Sequence, residues 1–159
     1  MKSEINNLDR IDRKILQRLQ ENSRISNVAL AKSINLSPTP CLERVRKLER
    51  EGFIKKYVAL ADPIKLNYGL AAYIQVSLTH TATSDLTSFG RQMKSMPEVL
   101  ECHMVAGGFD FLIKIRVADM QSFQSFLGEK LATISIVAET HTYMVIKEVK
   151  SETALFVSD

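Results

Sequence analysis

Tryptophan is absent from this 159-residue sequence, cysteine occurs twice and histidine three times. No apolar run approaches the roughly 18 residues that a membrane-spanning helix needs. Cys41 and Cys102 stand alone, with no CxxC pair and no framework spacing, so neither a disulfide scaffold nor a structural metal site is expected. Two free thiols in packing roles suit a reducing compartment. His80, His103 and His141 lack metal-ligand spacing, no nucleophile stands beside an evident base, and there is no phosphate-binding loop, so no enzyme and no cofactor are expected. The opening stretch MKSEINNLDRIDRK has no apolar segment like that of a signal peptide, which makes the cytoplasm the expected compartment, without a membrane partner. What remains, 45% hydrophobic and 25% charged, is an ordinary globular composition for one domain or two small ones.

Charge is distributed unevenly. Residues 1–56 carry 13 Lys and Arg against 7 Asp and Glu, whereas residues 57–159 carry 8 against 11. A basic N-terminal third beside an acidic remainder suggests one part that meets a polyanion and another that does not, although solvated surface charge produces the same imbalance.

Within that third, Leu8, Ile11, Ile15, Leu16 and Leu19 recur at helical spacing behind a capping Asp9, predicting a helix to about Glu21. Ser26 caps a short second helix with Val28, Ala31 and Ile34 inward, and Ser37 caps a third. Pro38 and Pro40 fall at its first and third positions, where backbone N–H groups have no intrahelical partner, so they stiffen the start of the helix. Cys41, Leu42, Val45 and Leu48 form its expected apolar face, and Gly52 its stop. Small Ala31 and turn-tolerant Asn35 complete the pattern of a helix-turn-helix. A recognition helix enters the major groove by its N-terminus, and Ser37, Thr39 and Pro40 suit base edges there. Arg44 can reach guanine or phosphate, and Lys47 and Arg50 phosphate. The plainer alternative is a solvated helix whose charges form the surface pairs Arg46–Glu49 or Glu43–Lys47. Residues 1–54 are thus one expected domain, and 55–69 a linker beginning with a strand that reaches Asp62 and Pro63.

From residue 70 the period changes. LAAYIQVSL (70–78) reads as a strand, Leu86, Phe89 and Met93 as a helix, VLECHMVA and FDFLIKIRV as two strands around Gly107 and Gly108, Met120 to Leu131 as a second helix, and VAETHTYMVIKEV as a last strand. The order βαββαβ predicts an α+β, ferredoxin-like domain over 70–159. Its two helices cover one sheet face, so Tyr73, Leu112, Tyr143 and Val145 are expected to offer apolar groups to a second chain on the other. In MVAGGFDFLIKI (104–115) the paired glycines permit positive φ and a nest of N–H groups for a carboxylate, while Asp110 can accept from an ammonium. Those charges in an apolar frame fit a zwitterionic apolar amino acid; a hairpin whose Asp110 bonds only backbone fits as well.

Four segments, LDRIDRKILQRLQENSRISNVALAK, LSPTPCLERVRKLEREGFI, ECHMVAGGFDFLIKIRVADM and THTYMVIKEVK, resemble the Lrp/AsnC, or feast/famine, family of transcription regulators over nearly the whole chain. The resemblance implies a winged-helix-like DNA-binding domain and an amino-acid-sensing domain joined by a β linker. It also implies homodimers that often assemble as a tetramer of dimers, an octamer, on the nucleoid. Carried over by position, DNA contacts fall on Ser37, Thr39, Pro40 and Arg44, with Arg24 and Ser26 near phosphates. The effector pocket between dimers falls on Met104, Gly107, Gly108, Phe109 and Asp110, with Met120, Tyr143, Met144 and Val145 as further lining. Gly108 replaces a residue that is often polar in the family, and Asn35 one that is commonly glycine. The implied function is regulation on double-stranded DNA in response to leucine or methionine; an architectural protein that wraps DNA without a ligand response is the alternative.

Overall fold

The computed structural model describes residues 8–157. The chain forms two compact units, one ending at Leu60 but joined by the tail from Lys150, the other spanning Ala61–Val149. The sequence pattern places that tail in the C-terminal domain. In space it groups with the N-terminal unit, where Gln20 bonds both backbone groups of Leu155.

The N-terminal unit contains α1 (Arg10–Glu21), α2 (Asn27–Ser33) and α3 (Pro38–Arg50). Asp9 caps α1 through Oδ1, which accepts from the N–H groups of Ile11 and Asp12 at 2.8 Å. Ser26 caps α2 by accepting from Ala29 N–H. Asn35 turns the chain with φ +58° and Gly52 ends α3 with φ +78°, both as the turn chemistry predicts. Ser37 holds the capping position of α3 but makes no capping bond. Pro40 stands three residues on and has no N–H to donate, which removes a usual partner of such a cap. Ile15, Leu30, Ala31, Ile34, Cys41 and Leu48 form the core.

Leu42, expected inward, is 37% exposed, whereas Arg44 is half-buried. At about 100° per residue Val45 and Leu48 lie within about 40° of Cys41, Arg44 about 60° to one side and Leu42 about 100° to the other. The apolar face is therefore centred nearer Arg44. Residues 55–62 form no strand or helix, so the expected linker strand has no ladder partner among the described residues.

The second unit contains β1 (Leu70–Leu78), α4 (Thr83–Ser95), β2 (Val99–Met104), β3 (Phe111–Val117), α5 (Met120–Ser125), which continues as a π-helical segment (Phe126–Leu131), and β4 (Val137–Met144). The antiparallel sheet has the order β2-β3-β1-β4. Alternate residues of β1 (Ala72, Ile74, Val76, Leu78) and β3 (Phe111, Ile113, Ile115, Val117) are buried with Phe89, Met93, Phe123, Phe126 and Leu131 from the helices. Rings of Phe89 and Phe111 lie 4.6 Å apart. β4 stops at Met144, short of its apolar run, because β1 supplies its last bond to Val145 N–H from the Ala71 carbonyl.

The other sheet face departs from the apolar expectation. Tyr73 and Leu112 are half-buried and Tyr143 is exposed, but Lys114 lies among them, bridging Glu101 at 3.4 Å and Glu148 at 3.8 Å, and Arg116 also bonds Glu148. The Lys114 Nζ stands 5.7 Å from the centre of the Tyr73 ring. Burial draws the Lys114 pKa down, yet Glu101 and Tyr73 outweigh it and hold the ammonium above its ordinary value.

Candidate functional site

In the N-terminal unit, the front of α3 presents Ser37 and Thr39 exposed and Pro40 half-buried, with Arg50 exposed and Lys47 half-buried farther along. Arg24 and Ser26 are exposed before α2, and the Ser26 hydroxyl, although its oxygen caps the helix, retains its own O–H for an acceptor. Neither Arg46–Glu49 nor Glu43–Lys47 forms an ion pair among the described residues. Glu49 instead accepts from Tyr57 Oη at 2.8 Å; burial and then this carboxylate push the phenol up to about 12.

Arg44 has a structural role invisible in the linear pattern. Its Nη1 donates to Asp9 Oδ2 at 2.6 Å and to Asp12 Oδ1 at 2.7 Å, bracing α3 against α1. Asp12 is the buried charged residue of this core, 1% exposed. The hydrogen bonds from Asp12 and Asp9 hold Arg44 above its ordinary pKa. Asn27, likewise missed by pattern, donates from Nδ2 to the Pro38 carbonyl at 2.8 Å, tying the starts of α2 and α3 together. A polar residue at the first position of α2 was the sole signal.

Burial pushes the Asp9 carboxyl up, but the Asp12 N–H and the Arg44 guanidinium outweigh it and leave its pKa below 3.8. Glu98, paired with Lys130, and Glu101, bonded by His103 and Lys114, are likewise held below 4.5. A carboxylate with a depressed folded pKa adds stability that is present above its unfolded value and lost as pH falls through the folded one. Unfolding followed by circular dichroism should therefore show both units weakening as pH drops below about 4. Asp9→Asn should flatten that dependence for the helical signal.

In the second unit, Met104 leads into the loop 105–110 at the end of the sheet where β1 finishes. Asp110 ties this loop down: its N–H donates to the Val76 carbonyl at 3.0 Å, and its Oδ2 accepts from Leu78 N–H at 2.7 Å. One carboxylate oxygen thus has the backbone role of the plainer sequence alternative. Gly107 and Gly108 are exposed, and neither takes the left-handed φ that the sequence allows, since a loop of this length closes without it. A side chain on either would meet nothing within 4 Å. The N–H groups of residues 106–109 meet no acceptor among the described residues, and Phe109 is half-buried beside them.

The remaining expected lining lies elsewhere. Met144 pairs with Ala72 while the hairpin meets β1 at Val76, about 13 Å away along the strand. Their strands, β2 and β4, are opposite sheet edges, three spacings or about 14 Å apart. Met120 follows β3 at the far end. Exposed Met120, Tyr143 and Met144, with half-buried Val145, do not meet the hairpin within one chain.

A groove of about 720 Å³ runs between α4 and β2, with Leu86, Val99 and Phe111 among its apolar lining and Arg91 and Lys94 at its side. Of the expected effector residues only Met104 reaches it. Cys102, also lining it, has its thiol pKa pushed up by burial, which Lys94 partly opposes. Among the described residues no cluster of three or more His, Cys, Asp or Glu could hold a metal, and no helix is long and apolar enough to cross a membrane.

Residues 8–55 match the model of a winged helix-turn-helix DNA-binding domain, and residues 71–155 that of the Lrp/AsnC ligand-binding domain. The chain is 47% identical over 150 residues to the leucine-responsive regulatory proteins of Salmonella typhimurium and Escherichia coli, covering 94% of its own length and 92% of theirs. A transcriptional regulator of Neisseria meningitidis solved as an L-Met complex superposes with a TM-score of 0.88 at 39% identity, over 93% of this chain and 96% of that one. An AsnC family transcriptional regulator of Agrobacterium tumefaciens gives 0.89 at 32% identity, with 93% and 96% covered.

Proposed function

Since this chain belongs to the Lrp/AsnC family of DNA-binding transcription regulators with an amino-acid-binding domain, we propose that its effector is leucine or methionine, bound between dimers of a homo-oligomer. One observation carries this reading: the hairpin 104–110 lies at one end of the sheet, Met120 at the other, and Tyr143, Met144 and Val145 toward that other end on the opposite edge, so a pocket using both groups requires two chains. The bare N–H groups of 106–109 receive the carboxylate, and Asp110 the ammonium. A ring of four dimers supplies such junctions repeatedly. An effector at a junction alters assembly only through its different affinity for two states, which gives it leverage on DNA binding. The relative solved with L-Met and the leucine-responsive relatives favour these two ligands.

On DNA, the front of α3 (Ser37, Thr39, Pro40) reads base edges while Arg24, Ser26, Lys47 and Arg50 meet phosphates, and Arg44 contributes through the one-third of its side chain left exposed. The protein acts in the cytoplasm, on the nucleoid.

A thermal-unfolding panel against the common amino acids tests the effector. Stabilisation grows as RT ln(1 + [L]/Kd), about 2.7 kcal/mol at a hundredfold excess over Kd. A shift confined to leucine, methionine or close relatives is the expected result. No shift with any amino acid would replace the sensor with an architectural DNA-wrapping protein.

A further inference from the structure

The exposed α1 residue Gln20 reaches a backbone 135 residues away. Its Nε2 donates to the Leu155 carbonyl at 3.0 Å and its Oε1 accepts from the Leu155 N–H at 2.7 Å. A glutamine amide carries a donor and an acceptor side by side, so it engages one residue as a neighbouring strand would; neither glutamate nor lysine has that pair. Leu155 and Phe156 are 78% and 94% exposed, so apolar packing does not hold the tail in place. The polar clamp is its anchor.

The origin of this tail gives the clamp its consequence. Residues 150–157 belong to the DNA-binding unit, yet they continue the chain that leaves β4. The two units are thus joined covalently at two places, by the segment near residue 60 and by the tail. Tyr143, Met144 and Val145, the proposed effector lining, precede this second connection, with residues 146–149 between them. On the other side, α1 is braced to α3 by Asp9, Asp12 and Arg44.

We propose that Gln20 is a positioning residue which fastens the C-terminal tail to α1, so that displacement of the end of β4 by an amino acid reaches the DNA-binding helices. This rests on the effector reading above. Effector coupling requires a physical element that both sites bias, and the strap is one. Without the clamp, each unit keeps its own affinity but stops sensing the other.

Hydrogen–deuterium exchange on the full chain, with and without saturating leucine or methionine, separates the possibilities. In the wild type, ligand should change exchange in the hairpin 104–110 and also in α1 and α3. In Gln20→Ala, which keeps an exposed helix position and should leave the melting temperature unchanged, the hairpin response should persist while the α1 and α3 response disappears. DNA affinity measured with and without the amino acid should show the same loss, from about fivefold or more to near unity. Gln20→Glu, which sets a carboxylate against the Leu155 carbonyl, and a chain truncated after Val149 should behave alike. Transmission that survives in all three variants, or a wild-type response confined to the hairpin, overturns the strap and leaves the sensor intact. No response anywhere in the wild type overturns the amino-acid reading and the strap with it.

Discussion

Arg44→Ala should destabilise the N-terminal unit by about 3 kcal/mol, lowering its melting temperature by more than about 10 °C. The reason lies in Asp12, whose carboxylate is buried with the Arg44 guanidinium 2.7 Å away. Removing one partner of a buried pair leaves an uncompensated charge, and the cost is about 3–5 kcal/mol; the third of Arg44 that remains exposed argues for the lower end. Calorimetry is the direct check. Replacing both partners, as Arg44→Met with Asp12→Leu, should recover most of the loss, since apolar groups of similar volume need no compensation. An Arg44→Ala protein that melts normally but binds DNA weakly would instead assign the side chain to the DNA. Any loss of DNA affinity in Arg44→Ala must accordingly be measured at a temperature where the unit remains folded.

A pair of substitutions at Asp110 should separate its backbone role from the proposed contact with an ammonium. Asparagine retains an oxygen to accept from Leu78 N–H, so Asp110→Asn should keep the fold within about 1 kcal/mol. It lacks the charge for an ammonium, and a charge-assisted hydrogen bond of about 1.5–3 kcal/mol should disappear from effector binding, weakening it roughly 10- to 150-fold. Asp110→Ala should lose both, because Leu78, 8% exposed, keeps an unsatisfied N–H costing about 1–3 kcal/mol. Isothermal titration on variants of checked stability reads the difference. Undiminished affinity in Asp110→Asn would confine this carboxylate to the hairpin.

Much of this was legible in the chain. The capped helices, the left-handed Asn35 and Gly52, and the change from helical spacing to βαββαβ are local properties, determined by side-chain periodicity and by which residues accept a given φ. The resemblance identified the family, and the domain matches agree with it.

Three things were decided only by tertiary structure. Arg44 reads as one more basic residue until α3 lies across α1 and two carboxylates enclose it. Gly107 and Gly108 permit a left-handed φ, but the loop between β2 and β3 closes without one. The tail reads as the end of the sensor domain, and nothing in its sequence signals that Gln20 will bond it. Periodicity along a chain determines which face of an element is apolar. It does not determine which distant polar group will complete a hydrogen bond, because such a partner is chosen by packing in three dimensions.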